Sequence, residues 1–483
     1  MNITTDTTHF SHRKMQIKYL CIPLVSILCF LLWNITCIRS DFSSDDADPE
    51  VLYQAWRMAQ GQEIYRDINT PPFAFAAYPP LYFVISALIL KFTGLSFLPG
   101  RLVSFIAVIF IFWAMVRLSR IWKRSGWIGL YSAFILLLIP AFLYNSVRCH
   151  PQLLAVAFSI WAFVFFIQNR WQYTIILSPI LTLFAIYTKQ TQIALPLAMI
   201  LYLIVRNRKL LWPYVSVLTI GGLIPFLLMQ KNSDGYFYSS IITYAGNLSY
   251  NVLDIAPVFI HHAGPVFIFA GIALLLLVKR FRNRKWEEID YYLLVVFIFT
   301  LISLGRIGAH GQYVVELLVV ILIYLIRVLT SHGLFGKTRW IYVQILILFI
   351  YTPLFIFFEE GLHSRAANRS YHEIYSQLEA ASGPILSQQG SFPLFVRGEI
   401  YIQLFHFTGL FRAGAWDQKY LLDEIEKQTF SYVITEFPIS ESAGGYDGWE
   451  RFTPEVLEAL RTDYKFMRKI DPYYIYQRFS EKH

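Results

Sequence analysis

Long apolar runs, separated by short polar and basic segments, dominate the pattern along the chain. Residues 17–38, 102–116, 127–144 and 340–358 are four of these runs. Each approaches the roughly 20 residues that a helix needs to cross about 30 Å of hydrocarbon. The pattern therefore predicts an α-helical polytopic membrane protein.

Basic clusters between the runs predict the orientation of the helices, because Lys and Arg concentrate in cytoplasmic loops. The clusters comprise Arg13, Lys14 and Lys18 before the first run, and residues 117–124, 206–209, 279–285 and 337–339. Placing all of them inside makes the N-terminus cytoplasmic and leaves the chain after Glu359 outside. The eleven spans that result are 17–38, 101–121, 127–147, 151–168, 173–188, 191–205, 211–229, 259–278, 290–305, 313–328 and 339–358.

One apolar stretch, residues 79–94, does not fit this alternation. It has only 16 residues and carries Lys91, and as a span it would place the 117–124 cluster outside. We predict a helix lying at the outer interface, with a true span as the alternative. Residues 39–100 then form a large extracytoplasmic loop. Its apolar spacing predicts a surface helix over 48–60 that closes near Gly61.

The tail, residues 359–483, is polar and mixes two periodicities. Alternating helical and strand patterns indicate a small α/β domain outside the membrane, following a transmembrane domain at 1–358. The predicted helices are 370–381, 420–428 and 454–461, and the predicted strands are 393–396, 432–435 and 473–477.

Composition supports the membrane assignment and narrows the partners. The chain is 56% hydrophobic and 15% charged, whereas about a quarter of the residues in a soluble domain are charged. The net charge of +9 lies in the clusters that set topology, so we expect membrane lipids and no nucleic acid as partners. The four cysteines suit neither a disulfide framework nor a zinc site.

An acidic cluster follows the first run: Asp45, Asp46, Asp48 and Glu50. Mutual repulsion should raise the pKa of at least one of these carboxyl groups. Sites that need a general base or a cation ligand tolerate this cost. In the alternative interpretation Asp48 only caps the helix that follows, with Pro49 in its first turn.

Three outer turns carry cations or histidines near the depth of the lipid headgroups, where charged groups often mark a substrate path. Arg and Lys there suit a lipid-linked phosphate, although snorkelling to the interface explains any single one equally well. Glu316 could pair with Arg306. Residues 61–82, rich in Pro and aromatic side chains, could stack on a sugar or anchor at the interface. The turn residues are Arg148 and His150, Lys189 and Gln190, and Arg306, His310 and Gln312.

Several segments resemble the polytopic C-type glycosyltransferases, the superfamily of protein O-mannosyltransferases and aminoarabinose transferases. They are the acidic loop followed by AWRMAQGQEIYRD, the YPPLY stretch, residues 94–101, YTKQTQIALP and LGRIGAHGQYVVELL. The resemblance implies a polyprenyl-phosphate-sugar donor and a first-loop acidic residue as catalytic base. Relatives have adjacent acidic residues or an acid-x-acid pair. Asp46 belongs to both possible pairs here, so it is the predicted base, with Asp45 and Asp48 beside it.

The resemblance also bears on the remaining candidates. Where relatives have Arg-x-Asp, this chain has Arg148-x-His150, which leaves Arg148 as a phosphate contact at most. Family members differ in metal dependence, so a divalent cation, Mg²⁺ or Mn²⁺, is possible. The predicted substrate-binding residues are Lys189, Gln190, Arg306, Arg148, His310, Tyr78 and Arg101.

The expected reaction is sugar transfer with a phosphate leaving group, in the plasma membrane of a bacterium, to a glycan, lipid or protein acceptor outside. One base opposite a leaving phosphate implies inversion at the anomeric carbon. One alternative is a surface-glycan polymerase or ligase, which would rely on outer arginines more than on an acidic cluster. The other is a transporter, which would place ionisable groups near the midplane.

Overall fold

The computed structural model describes residues 22–34, 37, 42–43, 45–168, 170–247, 249–331, 339–379, 382–440 and 450–479. Arg13, Lys14, Lys18 and Lys337, which help to set the predicted topology, lie outside these ranges. Within them, five helices are long and apolar enough to cross a membrane: Leu98–Ile121, Arg208–Asn232, Val252–Arg282, Gly311–Val328 and Arg339–Phe358. Shorter apolar helices complete the bundle: Ile22–Asn34, Leu81–Thr93, Gly126–Leu136, Gln152–Ile167, Gln172–Thr188 and Ala194–Arg206. Further helical segments are Tyr236–Tyr238, Ser239–Tyr244 and Glu288–Leu304.

The count of eleven spans stays a prediction, because several predicted spans are short helices. The predicted span 127–147 is two helices, Gly126–Leu136 and Pro140–Asn145. Ile139 between them is extended, with φ −94° and ψ 114°. Pro140 begins the second helix, where the N–H that proline lacks is not needed. The break brings residues 146–151 into a compact outer turn.

Helix Gly311–Val328 lies at the centre of the bundle. Its Val, Leu and Ile side chains are almost completely buried, as in Leu317, Val319 and Ile323. Helix Arg208–Asn232 instead exposes large apolar residues such as Leu223 and Leu227. An apolar surface of this kind suits contact with lipid.

The first outer loop is built as the sequence predicts. Its surface helix spans Ala47–Ala59 and ends before Gly61, whose φ of 74° suits glycine. Helix Leu81–Thr93 has 13 residues, about 20 Å at 1.5 Å per residue, which is short of the hydrocarbon thickness. It packs on Ala47–Ala59 through Tyr82 and Phe83.

The tail contains a four-stranded sheet of order β1-β2-β4-β3. The strands are β1 (Ile385–Ser387), β2 (Tyr432–Thr435), β3 (Tyr464–Ile470) and β4 (Tyr473–Arg478). Strands β1 and β2 are parallel, and the other two pairs are antiparallel. The helices around the sheet are Leu362–Glu379, Ser391–Arg397, Leu404–Arg412, Lys419–Glu426 and Pro454–Asp463.

One prediction for the tail was wrong. The predicted strand 393–396 lies inside helix Ser391–Arg397, where Phe392 and Leu394 are buried; a short apolar run cannot distinguish a buried strand from a buried helix. Strands β1 and β3 were not predicted. The proposed boundary at 358/359 falls within continuous helical structure that runs from Arg339 to Glu379.

The tail packs directly on the first outer loop. Ile68, Phe73 and Phe75 of the loop share one apolar core with tail residues. The Phe73 N–H donates to the Tyr401 carbonyl at 2.6 Å, and the Gln403 N–H donates to the Phe73 carbonyl at 3.0 Å. The loop and the tail therefore form one structure above the helical bundle.

Candidate functional site

Arg148 lies at the centre of the acidic cluster and is almost fully buried. Its Nε and Nη2 donate to Asp48 at 2.8–2.9 Å, and Nη2 lies 2.7 Å from Asp45 Oδ2. The guanidinium carbon lies 4.6 Å from the centre of the Tyr144 ring. Burial alone would raise the pKa of Asp45, but Arg148 and His310 outweigh it and hold that pKa below its ordinary value. Arg148 therefore neutralises two carboxylates.

The alternative interpretation of the sequence has Asp48 as the cap of the helix that follows it. In the structure the N-cap of helix Ala47–Ala59 is Asp46. Asp48 lies inside the first turn and is only 2% exposed, so the capping interpretation of Asp48 was wrong. Asp45 instead accepts a hydrogen bond from the Ala47 N–H at 2.7 Å. Asp46 pairs with Arg451 of the tail, with Nη2 and Oδ2 at 2.9 Å.

Glu50 is the fourth carboxyl group of the cluster, and its partner also comes from the tail. His406 Nε2 lies 3.4 Å from Glu50 Oε2. Burial, reinforced by Asp46 and Asp45, raises the pKa of Glu50 well above its ordinary value, against the opposing effect of Arg451. Burial lowers the pKa of His406 to about 4. Burial is thus the main cause of the raised pKa at Glu50, and repulsion by Asp46 and Asp45, which the sequence predicts, adds to it.

Lys189 is a buried cation at the second outer turn. It is 1% exposed, and its Nζ donates to Gln152 Oε1 at 2.6 Å. The Nζ also lies 5.6 Å from the Tyr78 ring centre and 4.8 Å from that of Tyr313. Burial lowers the pKa of Lys189 to about 7. A cation held by a neutral amide and two aromatic faces can still accept an anionic ligand.

Tyr78 connects Lys189 to the acidic cluster. Its hydroxyl lies 2.9 Å from His150 Nε2, and the ring interacts electrostatically with Asp45, Glu50 and Arg148. Burial, together with Lys189 and Arg148, lowers the pKa of His150 well below its ordinary value, so this histidine is neutral. The predicted residues Tyr78, Lys189 and Asp45–Asp48 therefore belong to one site.

Gln190 lies where this site meets an apolar cavity. Its amide donates to the carbonyls of Ala77 and Ile241 at 2.8 and 2.9 Å. The cavity has a volume of about 360 Å³. Gln190 lines it, whereas Asp46 does not. The other lining residues include Pro79, Leu183, Leu218, Leu223 and Phe226.

The other predicted residues, Arg306, His310 and Arg101, have different contacts around this site. Arg306 donates to the Ala245 carbonyl at 2.8 Å and interacts electrostatically with Tyr313. His310 is exposed and lies close enough to Asp45 to affect its pKa. Arg101 is buried, donates to the Phe42 carbonyl at 3.3 Å and covers the Phe97 ring. Arg101 thus supports the outer loop.

Glu316 accepts a hydrogen bond from the Tyr292 hydroxyl at 2.6 Å. Arg306 donates to the Ala245 carbonyl, so the structure does not pair Glu316 with Arg306. Glu316 instead borders a polar cavity of about 20 Å³ together with Gln152, Gln192 and Tyr313.

The residues of the cluster do not fit a divalent cation. Mg²⁺ and Mn²⁺ need several oxygen ligands, but Asp45 and Asp48 are bonded to Arg148, and Asp46 is bonded to Arg451. Within the described part of the chain, no group of three or more His, Cys, Asp or Glu side chains could hold a metal. No catalytic step is derived through a metal.

Sequence reasoning missed the contribution of the tail. Arg451 and His406 reach the acidic cluster from more than 350 residues away. Gln152 and Tyr313 were also missed, although both contact Lys189. Each lies next to a predicted turn residue, and this proximity was the available signal. His406 and Arg451 carry no comparable signal, because nothing in the local pattern distinguishes them.

Comparisons with known proteins agree with this architecture. Residues 77–229 match the family described as dolichyl-phosphate-mannose-protein mannosyltransferase. The structure is similar to that of ArnT from Cupriavidus metallidurans bound to undecaprenyl phosphate, with a TM-score of 0.64 and 13% identity over 95% of this chain and 98% of ArnT. In the apo state of ArnT the TM-score is 0.59, with 13% identity over 96% of this chain and 98% of ArnT. Among curated proteins, no sequence relative matches the chain.

A third similar structure is the oligosaccharyltransferase of Archaeoglobus fulgidus tethered to an acceptor peptide. The TM-score is 0.54 and the identity 12%, over 96% of this chain and 74% of that enzyme. These matches confirm the resemblance that the sequence motifs indicated. The chain has the fold of the polytopic C-type glycosyltransferases, with multiple membrane helices and a small C-terminal sheet.

Proposed function

We propose that this chain is a membrane glycosyltransferase that moves a sugar from a polyprenyl-phosphate donor to an acceptor on the extracytoplasmic side of the plasma membrane. The fold supports this assignment, and so does the binding of undecaprenyl phosphate by the similar ArnT. The single observation that carries it is the arrangement around Tyr78. The Tyr78 ring lies 5.6 Å from the buried cation Lys189, Tyr78 interacts electrostatically with Asp45 and Glu50, and the next residues, Pro79 and Gln190, line the apolar cavity.

The cavity supplies the lipid part of the proposed donor site. It lies between helices Gln172–Thr188 and Arg208–Asn232, and its lining is mainly apolar. An isoprenoid chain is an apolar ligand and suits a lining of this kind. Gln190 marks the end of the cavity next to Lys189. A phosphate attached to the chain would thus be placed beside the cation.

Lys189 is proposed to bind the phosphate, with Arg306 as a second cation across Tyr313. Charge-assisted hydrogen bonds from Lys189 would stabilise the negative charge that develops on the leaving phosphate. Arg148 is unsuited to this role because Asp45 and Asp48 already occupy its guanidinium. Tyr78 can support the sugar between cation and carboxylates.

Transfer then needs a base at the acceptor hydroxyl. The acceptor O–H bond breaks and its oxygen forms the new bond to the anomeric carbon. The bond from that carbon to the phosphate oxygen breaks, and its electron pair stays on the phosphate. A base on the face opposite the phosphate inverts the anomeric carbon. The acidic cluster provides the proposed base, and Asp46 is the candidate that the sequence favours.

A binding experiment with undecaprenyl phosphate tests the donor site. Lys189→Gln in purified protein should weaken binding by about 2–5 kcal/mol, because the variant loses a desolvated charge contact. Lys189→Arg should keep part of the affinity. Since the pKa of Lys189 is about 7, wild-type affinity should fall as pH rises above that range and the ammonium loses its proton.

The matched control is Lys209→Gln, which removes an exposed lysine from the opposite end of the bundle. It should leave the affinity for undecaprenyl phosphate within about twofold of wild type, since exposed charges contribute little. Equal affinities of wild type and Lys189→Gln across the pH range would rule out Lys189 as the phosphate ligand.

A further inference from the structure

Three of the four carboxyl groups in the acidic cluster are paired with arginine. Arg148 binds Asp45 and Asp48, and Arg451 binds Asp46, at 2.7–2.9 Å. An adjacent guanidinium favours the ionised carboxylate and weakens it as a proton acceptor. The three aspartates therefore suit the cluster as fixed negative charges. Against the effect of burial, Arg148 and His310 hold the pKa of Asp45 below its ordinary value.

Glu50 has a different partner. The contact at its Oε2 is His406 Nε2, at 3.4 Å, and the two side chains are 14% and 19% exposed. His406 is neutral near pH 7, because burial lowers its pKa to about 4. The other charged groups that act on Glu50 are Asp46, Asp45 and Arg451, of which only Arg451 favours ionisation.

Glu50 also lies on the side of the helix that carries Asp46. The two residues are four positions apart at the start of Ala47–Ala59, and such a spacing places side chains on one face. Glu50 and Asp46 therefore face the tail together, through His406 and Arg451. On the other side of the cluster, Tyr78 lies 5.6 Å from Lys189 Nζ, measured to the ring centre.

We propose that Glu50, one turn beyond Asp46, is a further catalytic residue and accepts the proton of the acceptor hydroxyl, while Asp46 and Arg451 set its proton affinity. This inference rests on the proposed function. The proton moves from the acceptor oxygen to a Glu50 carboxylate oxygen as the acceptor oxygen bonds to the anomeric carbon. After transfer, Glu50 releases the proton to solvent. Asp46 becomes a positioning residue.

The direction of each pH effect follows from charge. Turnover rises as pH rises through the pKa of Glu50, because the base must be ionised. Removing the negative neighbour in Asp46→Asn moves this acidic limb to lower pH. Removing the positive neighbour in Arg451→Gln moves it to higher pH. A purely structural role for Asp46 and Arg451 predicts no such opposed shifts.

The experiment measures sugar transfer by the full-length purified chain from a panel of undecaprenyl-phosphate-linked hexoses and aminoarabinose. Glu50→Gln should lower turnover by about 10²–10⁴-fold and leave undecaprenyl phosphate binding near wild type. Glu50→Asp should recover part of the activity, and Asp46→Asn should lose at least tenfold less than Glu50→Gln. Glu63→Gln, at an exposed glutamate just after the same helix, is the control and should match wild type.

Infrared titration of the same proteins gives a readout that needs no donor. The band of a protonated carboxyl group should disappear in Glu50→Gln and should titrate at lower pH in Asp46→Asn. A loss of turnover in Asp46→Asn that exceeds the loss in Glu50→Gln would overturn the proposal and return the base to Asp46. A wild-type chain that neither binds undecaprenyl phosphate nor transfers a sugar would overturn the proposed function as well.

Discussion

Arg148 illustrates how neighbours decide the role of a residue. The sequence places a cation at an outer turn, where it could meet a phosphate. In the structure it lies among Asp45, Asp48 and the ring of Tyr144. A buried ion pair contributes little net stability, but loss of one partner leaves an uncompensated charge. Arg148 is therefore a fixed part of the protein interior, and Lys189 and Arg306 remain as the proposed contacts of the donor phosphate.

Substitution of Asp48 tests this role. Asp48→Asn removes the bidentate partner of Arg148 at a side chain that is 3% exposed, so we expect a loss of about 3–5 kcal/mol in the free energy of unfolding. Thermal denaturation in detergent measures the change. Arg412→Gln serves as the control, since its partner Glu450 and Arg412 itself are 30% and 49% exposed. That variant should lose less than about 1 kcal/mol. A small loss of unfolding free energy in Asp48→Asn would show that Asp48 is a replaceable helix residue.

At the scale of elements, the turn after helix Pro140–Asn145 holds the site in place. Ser104 of helix Leu98–Ile121 donates to the Arg148 carbonyl at 2.6 Å. Gly100 of the same helix lies against Cys149, and a Cβ added there would approach the Cys149 Cα to 2.8 Å. This close contact fixes the position of Arg148 relative to the first outer loop.

Gly100→Ala should therefore disturb both packing and the site. Overpacking at a contact this close costs about 1–3 kcal/mol, and displacement of the 146–151 turn should also weaken undecaprenyl phosphate binding. Gly271→Ala is the matched helical control, because its added Cβ meets nothing within 4 Å. That change should be neutral or slightly stabilising. Equal melting temperatures of the two variants would show that the 146–151 turn accommodates the added methyl group without loss of stability.

At the scale of the whole molecule, the tail completes the site. Arg451 and His406 of the tail contact Asp46 and Glu50 of the first loop, and the loop and tail share an apolar core. Because the two parts form one structure, both must lie on the same side of the membrane. The predicted topology puts that side outside.

Cysteine labelling tests this orientation. Ser387 is a poor reporter because it is buried in β1, whereas Ser376 is exposed on helix Leu362–Glu379. A membrane-impermeant maleimide should label Ser376→Cys in intact cells. Lys209→Cys should be labelled only after permeabilisation. Labelling of Lys209→Cys alone in intact cells would reverse the orientation and place the proposed chemistry inside.

Local pattern predicted much of the fold. The apolar runs became membrane helices, the surface helix was predicted within one residue of Ala47–Ala59, and β2 (Tyr432–Thr435) was predicted with its observed bounds. These features depend on hydrophobic period and on local turn chemistry, which neighbouring residues encode. The break before Pro140 was missed although the proline is a local signal for it. The helix Ser391–Arg397 was missed because a short apolar run does not distinguish a buried helix from a buried strand.

The sequence by itself determined the membrane class of the protein, the acidic cluster and the outer turn that carries Lys189. Only the tertiary structure decided which acidic side chain pairs with which arginine. Asp48 and Arg148 are 100 residues apart in the chain, and Asp46 and Arg451 are 405 apart. The strength of a charge interaction depends on distance and on exclusion of water, and neither is encoded in a local stretch of sequence. The same four acidic residues thus became three arginine partners and one glutamate that contacts His406.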